Sequence, residues 1–474
     1  MKTVCIIGAG PGGLVSAKTF LQTGQFDVTV FEKNDRIGGI WSLDHKSTNG
    51  FLSPFTPTNL SRFTVGFSDL DWNAVVLDDA ETGHAANGTH VRRSAPTFPK
   101  AWMAGRYLEA YRCKYIPDRV VRCGRRVTKA RRSGKVWTVT TQDLHSNEES
   151  KEFDYLIMAS GFFARPRTIE QNVPELSNTS PSVPIVHSSE FRFLDELLPD
   201  GLPSSGRKIL MLGGGNSGGE TAAAVAMQLS NARWSPDARL RGRYTDCKVV
   251  HVVPRPLYPV PPFIEYEEGS RSYLPLDLKL YDLSKRLASL ESYAGLQTID
   301  VRNMVHGIMQ SIVGGDQSDI AEALLSPKAD DRGAAYIALT ETYSEHVRSG
   351  LIDAVRGRVV GLEFDQNRTA SVTIQNSDGS TKLEDVVAVI YATGYTPLPA
   401  LDILDDDTKA AVQHDSTSMR LPMILEQWQT MSRDAPSVSF IGFYEGPYWG
   451  MMEVRAVPHS VRKHANSVIR CKLV

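Results

Sequence analysis

Two glycine clusters, each preceded by a short apolar run, constrain this chain more than any other feature. Residues 3–7 (TVCII) lead into GAGPGG at 8–13, and residues 208–212 (KILML) lead into GGGNSG at 213–218. Both clusters contain the motif G-x-G-x-x-G, whose three glycines are at positions 8, 10 and 13 and at positions 213, 215 and 218. In this motif the first glycine permits a tight turn, the second lets a pyrophosphate approach the backbone, and the third lets helix and strand pack closely. The Ala-rich stretch after each cluster would direct free N–H groups and a positive helix end at the phosphate. The pattern predicts two strand–turn–helix units that bind dinucleotides.

The first cluster has the acidic residue that a ribose site needs. A predicted strand at 28–31 ends at Glu32, 19 residues after Gly13. A carboxylate at this spacing can accept hydrogen bonds from both ribose hydroxyls. The alternative is a glycine-rich turn that serves only packing. The predicted binding residues are Gly8, Ala9, Gly10, Pro11, Gly12, Gly13 and Glu32.

A glycine pair downstream indicates which dinucleotide the first cluster binds. Gly38 and Gly39 precede Ile40 and Trp41. A dehydrogenase that binds only NAD does not need a glycine pair here, whereas a backbone running close to FAD does. We therefore expect Gly39, Ile40 and Trp41 at the flavin, against the alternative of a loop with one buried aromatic residue.

The second cluster lacks an acid after its second strand. Residues 248–253 are predicted as a strand that ends at Pro254 and Arg255. A guanidinium can bind a 2′-phosphate with two parallel hydrogen bonds, whereas a carboxylate would repel it. Arg255 therefore favours NADPH over NADH, although a surface arginine after an edge strand is the alternative. The predicted binding residues are Gly213, Gly215, Asn216, Ser217, Gly218 and Arg255, with Asn216 and Ser217 as side-chain donors.

Composition excludes several other classes of protein. The chain has 52 Lys plus Arg against 54 Asp plus Glu, so its net charge of −2 gives no reason to expect a nucleic acid partner. Its five cysteines include no C-x-x-C pair, which excludes zinc ribbons and dithiol reductases and predicts reduced thiols in the cytoplasm. No apolar run reaches the roughly 18 residues of a membrane span. We expect residues 1–32 to be folded rather than a signal peptide, and no tail anchor at the C-terminus.

Two dinucleotide sites on one chain predict hydride transfer from a nicotinamide to a flavin. The predicted fold class is α/β with two Rossmann-like dinucleotide-binding domains, in which the NADPH domain is inserted into a discontinuous FAD domain. The FAD domain takes residues 1–168 and 380–474, and the NADPH domain takes residues 169–379. Within the NADPH domain, residues 262–348 are predicted as mainly helix and loop and are expected to shape substrate access.

Several segments form a pattern together with the two clusters, Glu32 and Gly38–Trp41. They are Thr58-Asn59, Phe67-Ser-Asp69, His187 with Phe191, Ala392-Thr-Gly-Tyr395 and Phe440-Ile-Gly442. By these segments the chain resembles the flavin-containing monooxygenases, the class B flavoprotein monooxygenases, from Gly8 to about Ala456. The family signature between the glycine clusters is half matched, because Pro181 and Val183 stand where Phe and Gly would be.

The resemblance implies that NADPH reduces FAD, that O₂ then forms a flavin C4a-hydroperoxide, and that a soft nucleophile takes one oxygen atom. That nucleophile would be an amine nitrogen or a sulfur of a small molecule or peptide, in specialised metabolism. The resemblance also implies that Thr58, Asn59 and Leu60 bind the cofactors, with Asn59 beside the flavin and NADP⁺ as the catalytic residue. An asparagine in an Asx-turn is the alternative.

Other functions stay open from the sequence. They are a Baeyer–Villiger monooxygenase, an amino-acid N-hydroxylase, an NADPH oxidase, and a flavin-binding redox sensor without turnover. His187 is either a general base or a structural residue, and the sequence leaves a homo-oligomer open. The aromatic residues Tyr444, Tyr448 and Trp449, with Met451 and Met452, either line a substrate cavity or belong to the core.

Overall fold

The computed structural model describes residues 1–42, 52–77, 94–168, 173, 181–203, 207–267, 269–280, 299–326, 333, 335–416, 423–425, 430–443 and 448–456. The strands are β1 Lys2–Ile7, β2 Phe26–Phe31, β3 Val121–Arg122, β4 Arg126–Ser133, β5 Val136–Gln142, β6 Glu148–Phe153, β7 Tyr155–Met158, β8 Arg165–Pro166, β9 Ile185–His187, β10 Lys208–Leu212, β11 Lys248–Val253, β12 Leu257–Val260, β13 Phe263–Glu265, β14 Tyr273–Pro275, β15 Tyr336–Leu339, β16 Ile352–Arg356, β17 Arg358–Phe364, β18 Ala370–Asn376, β19 Gly379–Tyr391, β20 Tyr395–Thr396 and β21 Val438–Phe440. The α-helices are α1 Pro11–Gln22, α2 Ala101–Tyr115, α3 Leu194–Leu197, α4 Asn216–Arg233, α5 Ala238–Arg243, α6 Leu276–Leu280, α7 Ile299–Val313, α8 Tyr343–Arg348, α9 Leu398–Leu401, α10 Asp406–Ala411 and α11 Trp449–Ala456.

Contacts divide the chain into two discontinuous units. The first unit takes Met1–Arg165, Asp277–Ala294 and Tyr395–Val474, and the second takes Pro166–Leu276 and Gly295–Gly394. The predicted boundaries of the FAD and NADPH domains stay predictions, since they concern the ligands as well as the chain.

The first unit is built on a parallel sheet of five strands in the order β21-β7-β1-β2-β3. Its central strand β1 has its last four residues buried, because helices and loops cover both faces of a parallel sheet. α1 starts at Pro11, which suits the first helical position because a proline has no N–H to leave unpaired. A separate antiparallel sheet, β4-β5-β6, packs Trp137 into a core with Phe153.

The second unit repeats this arrangement around β10. The parallel order β16-β11-β10-β19 continues into the antiparallel strands β18 and β17, and β9 also pairs with β19. The two parallel sheets with their crossover helices confirm the predicted α/β fold class. The prediction of mainly helix and loop for residues 262–348 is incomplete, because β13, β14 and β15 also lie there.

Four cysteines lie in the described part of the chain and all are free: Cys5 and Cys247 are buried, and Cys113 and Cys123 are exposed. Burial raises the pKa of the Cys247 thiol to about 12, so it is protonated at neutral pH. Among the helices of the described ranges, none has the length and hydropathy to cross a bilayer. The cytoplasmic location stays a prediction.

One carboxylate ties the start of the chain to the first sheet and gives stability a pH dependence. Asp154 accepts hydrogen bonds from the Thr3 N–H at 2.8 Å and from the Lys2 ammonium at 2.6 Å. These donors lower its pKa to about 2. Because its pKa is lowered, Asp154 stabilises the fold at pH values above its unfolded-state pKa of ~4. This stabilisation is lost as the pH falls towards the pKa of the folded state.

We therefore expect Asp154→Asn to lower the melting temperature at pH 7. The difference from the wild-type melting temperature should shrink as the pH falls from about 4 towards 3. Melting curves at several pH values measure this. Asp27→Asn, at an exposed position of β2, is the control. A deficit that stays constant down to pH 3 would contradict the assignment.

Candidate functional site

The first glycine turn, between β1 and α1, has no room for side chains at its first and last glycines. Gly8 has a φ of +103°, and a Cβ there would lie 2.6 Å from the carbonyl oxygen of Ala159. A Cβ on Gly13 would lie 1.8 Å from the carbonyl oxygen of Gly8. A Cβ on Gly10 would meet nothing nearer than the Cα of Gly39, at 3.7 Å. Gly8 and Gly13 thus serve chain geometry, whereas Gly10 leaves space for a ligand.

The structure brings the predicted glycine pair next to this turn. The Gly38 N–H donates to the carbonyl of Ala9 at 2.9 Å. Gly39, at a φ of +63°, starts a short 3₁₀ turn that holds Ile40 and ends at Trp41. The Trp41 ring is half-buried and lies 6.3 Å from that of Trp449.

The remaining residues of the first cluster, Ala9, Pro11 and Gly12, serve packing and the start of α1. Ala9 is fully buried, and Pro11 begins α1. A Cβ on Gly12 would lie 2.9 Å from the side chain of Ile441, in the segment that follows β21. Ile441 therefore explains why Gly12 carries no side chain.

Glu32 lies at the end of β2 with only 4% of its surface exposed. One carboxylate oxygen accepts from the Ala9 N–H at 2.8 Å, and the other accepts from the Asn34 N–H at 2.9 Å. These bonds fix the carboxylate against the glycine turn. Because a carboxylate has about four lone-pair directions, both oxygens can still accept ribose hydroxyls.

The segment from Thr58 to Leu60 presents Asn59 outwards. The Thr58 N–H donates to the Pro99 carbonyl at 2.8 Å, and its hydroxyl donates to the Leu60 carbonyl at 2.6 Å. Asn59 is exposed, and its side chain makes no hydrogen bond with the residues that the structure describes. An Asx-turn would need such a bond to the backbone, so the geometry favours an asparagine that is available to a ligand.

A buried acid that the sequence analysis missed anchors the residues after Asn59. One carboxylate oxygen of Asp277 accepts from the Ser61 N–H at 3.1 Å, the Ser61 hydroxyl at 2.8 Å and the Thr64 hydroxyl at 2.6 Å. Asp277 is 4% exposed and 216 residues away from Ser61 in sequence. The available signal was a lone acid flanked by leucines in Leu-Pro-Leu-Asp-Leu.

The Phe67-Ser-Asp69 segment is a structural anchor. The buried ammonium of Lys18 in α1 lies 2.6 Å from Asp69 and 3.4 Å from Glu453 of α11. Glu453 in turn accepts from the Ser68 N–H at 2.9 Å. Phe67 stacks on Trp449 with ring centroids 5.4 Å apart. Tyr448, Trp449, Met451 and Met452 are buried, which favours a core role over a cavity lining, and Tyr444 lies outside the described residues.

The second glycine turn, between β10 and α4, repeats the geometry of the first. Gly213 has a φ of +124°, and a Cβ there would lie 2.4 Å from the Ala392 carbonyl oxygen. A Cβ on Gly218 would lie 1.8 Å from the Gly213 carbonyl oxygen. A Cβ on Gly215 would meet nothing within 4 Å. The space that a phosphate needs is again at the middle glycine.

Asn216, which the sequence predicts as a side-chain donor to the cofactor, makes hydrogen bonds within the protein. Its side-chain oxygen accepts from the Leu339 N–H at 2.8 Å, and its amide donates to Glu220 at 2.8 Å. Burial raises the pKa of Glu220 to about 7. Asn216 therefore connects α4 to β15, and Ser217, half-buried in the first turn of α4, is the freer of the two predicted donors.

Arg255 follows β11 as predicted and is half-buried. Its guanidinium lies over the Tyr336 ring, 5.4 Å from the centroid, and a Cβ on Gly333 would come within 3.2 Å of it. Among the described residues no carboxylate lies within ion-pair distance of it. A cation held by stacking keeps its N–H donors available to a phosphate.

The imidazole of His187 is held by its neighbours in the chain and by the backbone of Gly394. Its Nδ1 accepts from the Ser189 N–H at 3.1 Å, and the imidazole also interacts with the backbone of Gly394. Burial lowers the pKa of His187, which favours the neutral ring. Val183 and Phe191 of the half-matched signature are buried in cores. These contacts favour the structural role.

Both turns fit a dinucleotide. Each has an open middle glycine at a helix N-terminus, which suits a pyrophosphate. Glu32 stays the residue predicted to bind a ribose at the first turn, and Arg255 stays the residue predicted to bind a 2′-phosphate at the second. The two strand–turn–helix units thus define a protein of the dinucleotide-binding class.

Comparison with known proteins identifies the family. Residues 2–267 match the family described as pyridine nucleotide-disulphide oxidoreductase, and the chain belongs to it. It is 25% identical over 243 residues to the thiol-specific monooxygenase of Saccharomyces cerevisiae, covering 50% of each chain. It is 27% identical over 235 residues to dimethylaniline monooxygenase 2 (N-oxide-forming) of Macaca mulatta, covering 48% of this chain and 38% of that one. The matches thus span half or less of these relatives' length.

A solved structure supports the fold over nearly the whole chain. The ornithine N-hydroxylase of Kutzneria sp. 744 aligns with a TM-score of 0.58 at 15% identity, covering 98% of this chain and all of that one. The two relatives confirm the resemblance to flavin-containing monooxygenases, and the solved structure confirms the fold class.

The two turns can be tested separately. We expect Gly13→Ala to lower the bound flavin, because its Cβ would displace the Gly8 carbonyl. Gly218→Ala should keep the flavin but lose NADP⁺ binding. The ratio of flavin to protein absorbance and calorimetric titration with NADP⁺ measure the two effects. Gly307→Ala, where a Cβ meets nothing within 4 Å, is the control. Equal effects of both cluster variants on both ligands would contradict separate sites.

Proposed function

We propose that this chain is an FAD- and NADPH-dependent flavoprotein monooxygenase that oxygenates an amine nitrogen or a sulfur of a small molecule or peptide. In the net reaction NADPH, a proton and O₂ are consumed, one oxygen atom joins the substrate, and the other leaves as water. The observation that carries the proposal is the pair of intact glycine turns on one chain, one with Glu32 and the other with Arg255. The similarity to monooxygenases that act at nitrogen and sulfur supports it.

Each turn has a distinct task in the proposed reaction. The first turn binds the FAD pyrophosphate at α1, and Glu32 accepts hydrogen bonds from the ribose. The second turn binds the NADPH pyrophosphate at α4, and Arg255 binds the 2′-phosphate. FAD, when bound, accepts two electrons from NADPH and activates O₂.

Asn59 is the residue we assign to the reacting end of the cofactors. Its exposed amide can both donate and accept hydrogen bonds. Asp277, through Ser61 and Thr64, keeps the backbone that carries Asn59 in place. Trp41 is the aromatic residue we assign to the flavin side of the site, where it would help to exclude water from the reacting atoms. No strong general base is needed, which agrees with the structural role of His187.

The domain assignment belongs to the same proposal. We assign residues 1–168 and 380–474 to the FAD domain and residues 169–379 to the NADPH domain, although β19, which begins at Gly379, pairs with β10 in the sheet of the second unit. The segment 262–348 contributes to substrate access. The acid Asp277 lies in this segment, yet it belongs to the contact unit that contains the first glycine turn.

The proposed function predicts an oxygenated product. With NADPH and ¹⁸O₂, the protein should add one ¹⁸O atom to at least one member of a panel of amines, thiols and thioethers, as measured by mass spectrometry. Asn59→Ala should still consume NADPH but should lose about tenfold or more of the product, the cost of a lost polar contact at a reacting centre. Asn73→Ala, at an exposed position of the same unit, is the control.

Other outcomes would replace the proposal. Peroxide formation with every compound would indicate an NADPH oxidase, and an ester formed from a ketone would indicate a Baeyer–Villiger enzyme. A protein that binds FAD but leaves NADPH unoxidised would indicate a sensor. Normal product yield from the Asn59 variant would remove its catalytic role.

Arg255 should determine the choice of nicotinamide cofactor. Arg255→Ala is expected to raise the KM for NADPH about tenfold or more, the range of a charge-assisted contact, and to leave that for NADH nearly unchanged. Steady-state rates of NADPH and NADH oxidation measure this. Arg358→Ala, an exposed arginine of β17, serves as the control. Equal changes for both cofactors would rule out 2′-phosphate recognition.

A further inference from the structure

The two glycine turns differ at one buried position of the neighbouring strand. In the first unit Ile6 of β1 pairs with Val30 of β2, and in the second unit Met211 of β10 pairs with His251 of β11. Each pair lies one residue before the last residue of the strand that enters the turn. Val30 and His251 are therefore equivalent, and both are fully buried.

His251 bonds directly to the second turn. Its Nε2 lies 2.7 Å from the carbonyl oxygen of Gly213, and its Nδ1 lies 2.7 Å from the hydroxyl of Tyr343. Burial lowers the pKa of His251 to about 4, so the ring is neutral at neutral pH and has one N–H. Because a carbonyl can only accept, that N–H is on Nε2. The Tyr343 hydroxyl then donates to Nδ1 and fixes this tautomer.

The strand–turn–helix fold itself does not need this arrangement. The first turn is formed beside Val30, which has no polar group. Both turns share the backbone bond from their first glycine to the neighbouring strand, Gly8 to Phe31 at 2.8 Å and Gly213 to Val252 at 3.2 Å. Of the two turns, only the second therefore has a histidine at this position. A buried polar group is costly unless it is fully hydrogen-bonded.

The segment that carries Tyr343 holds the turn at a second point. Leu339, four residues earlier in β15, donates its N–H to the side chain of Asn216, the first residue of α4. The same strand begins with Tyr336, whose ring stacks on Arg255. Residues 336–343 therefore contact both parts of the predicted NADPH site, the pyrophosphate turn and the 2′-phosphate arginine.

We propose that Tyr343 and His251 are positioning residues that hold the second glycine turn in the shape that binds a dinucleotide pyrophosphate. The turn presents its N–H groups to an anion only while the Gly213 peptide keeps its left-handed conformation, and the His251 bond holds the carbonyl of that peptide. A turn ordered before binding lowers the entropy lost when the ligand binds. This inference rests on the proposed function, because it takes NADP(H) as the ligand of the second turn.

The test compares NADP⁺ binding in four variants of the FAD-loaded protein by titration calorimetry. His251→Val copies the first turn, and Tyr343→Phe removes only the hydroxyl that fixes the tautomer. Both should weaken NADP⁺ binding about fivefold or more, the range of one buried hydrogen bond, with unchanged flavin content. His251→Gln, whose amide nitrogen can replace Nε2 as a donor, should recover most of the loss. Without NADP⁺, amide hydrogen exchange of residues 214–219 should be faster in the two weakened variants.

The control separates positioning from general stability. Tyr244 is also buried in the second unit, and its hydroxyl donates to Asp195 at 2.5 Å, so Tyr244→Phe removes a comparable bond elsewhere. Its NADP⁺ affinity should equal that of the wild type. Wild-type affinity in His251→Val and Tyr343→Phe, an equal loss in Tyr244→Phe, or no recovery in His251→Gln would overturn the inference. A wild-type protein that binds FAD but not NADP⁺ would contradict both this inference and the NADPH site of the proposed function.

Discussion

The close approach of a helix to the strand before it is the constraint on which both halves of this protein depend. In each turn the third glycine of the motif lies so near the first that a Cβ would come within 1.8 Å of a carbonyl oxygen. Only glycine permits this contact, which brings the helix N-terminus to the end of the strand. The proposed anion site depends on the same contact, because the unpaired N–H groups of that helix end lie beside the space left at the middle glycine.

Buried charged and polar side chains keep these turns and their surroundings in one shape. Glu32 binds two backbone N–H groups beside the first turn, and His251 binds a carbonyl of the second. Asp277 takes three donors from the segment after Asn59, and Lys18 lies against two carboxylates. In each of these cases the buried group has a partner, since an unpaired charge or polar group in the interior would cost several kcal/mol. Rigid surroundings of this kind suit a protein that must place two cofactors accurately.

Short sequence patterns predicted the features that depend on residues close together in the chain. The glycine clusters, the strands before them, Glu32 after β2 and Arg255 after β11 all follow from short stretches of sequence. The side-chain roles were less predictable: Asn216 is used by β15, and the Phe67-Ser-Asp69 segment anchors helices. These partners are distant in the chain, so no spacing rule could connect them.

The sequence by itself determined the two strand–turn–helix units and the chemical character of each, because glycine spacing and the charge after the second strand act over a few residues. Only the tertiary structure decided that Asp277 supports the segment of Asn59 and that a histidine and a tyrosine hold the second turn. Those contacts join residues that are 216 and 92 positions apart, and they exist only where packing excludes water and makes each buried donor find an acceptor.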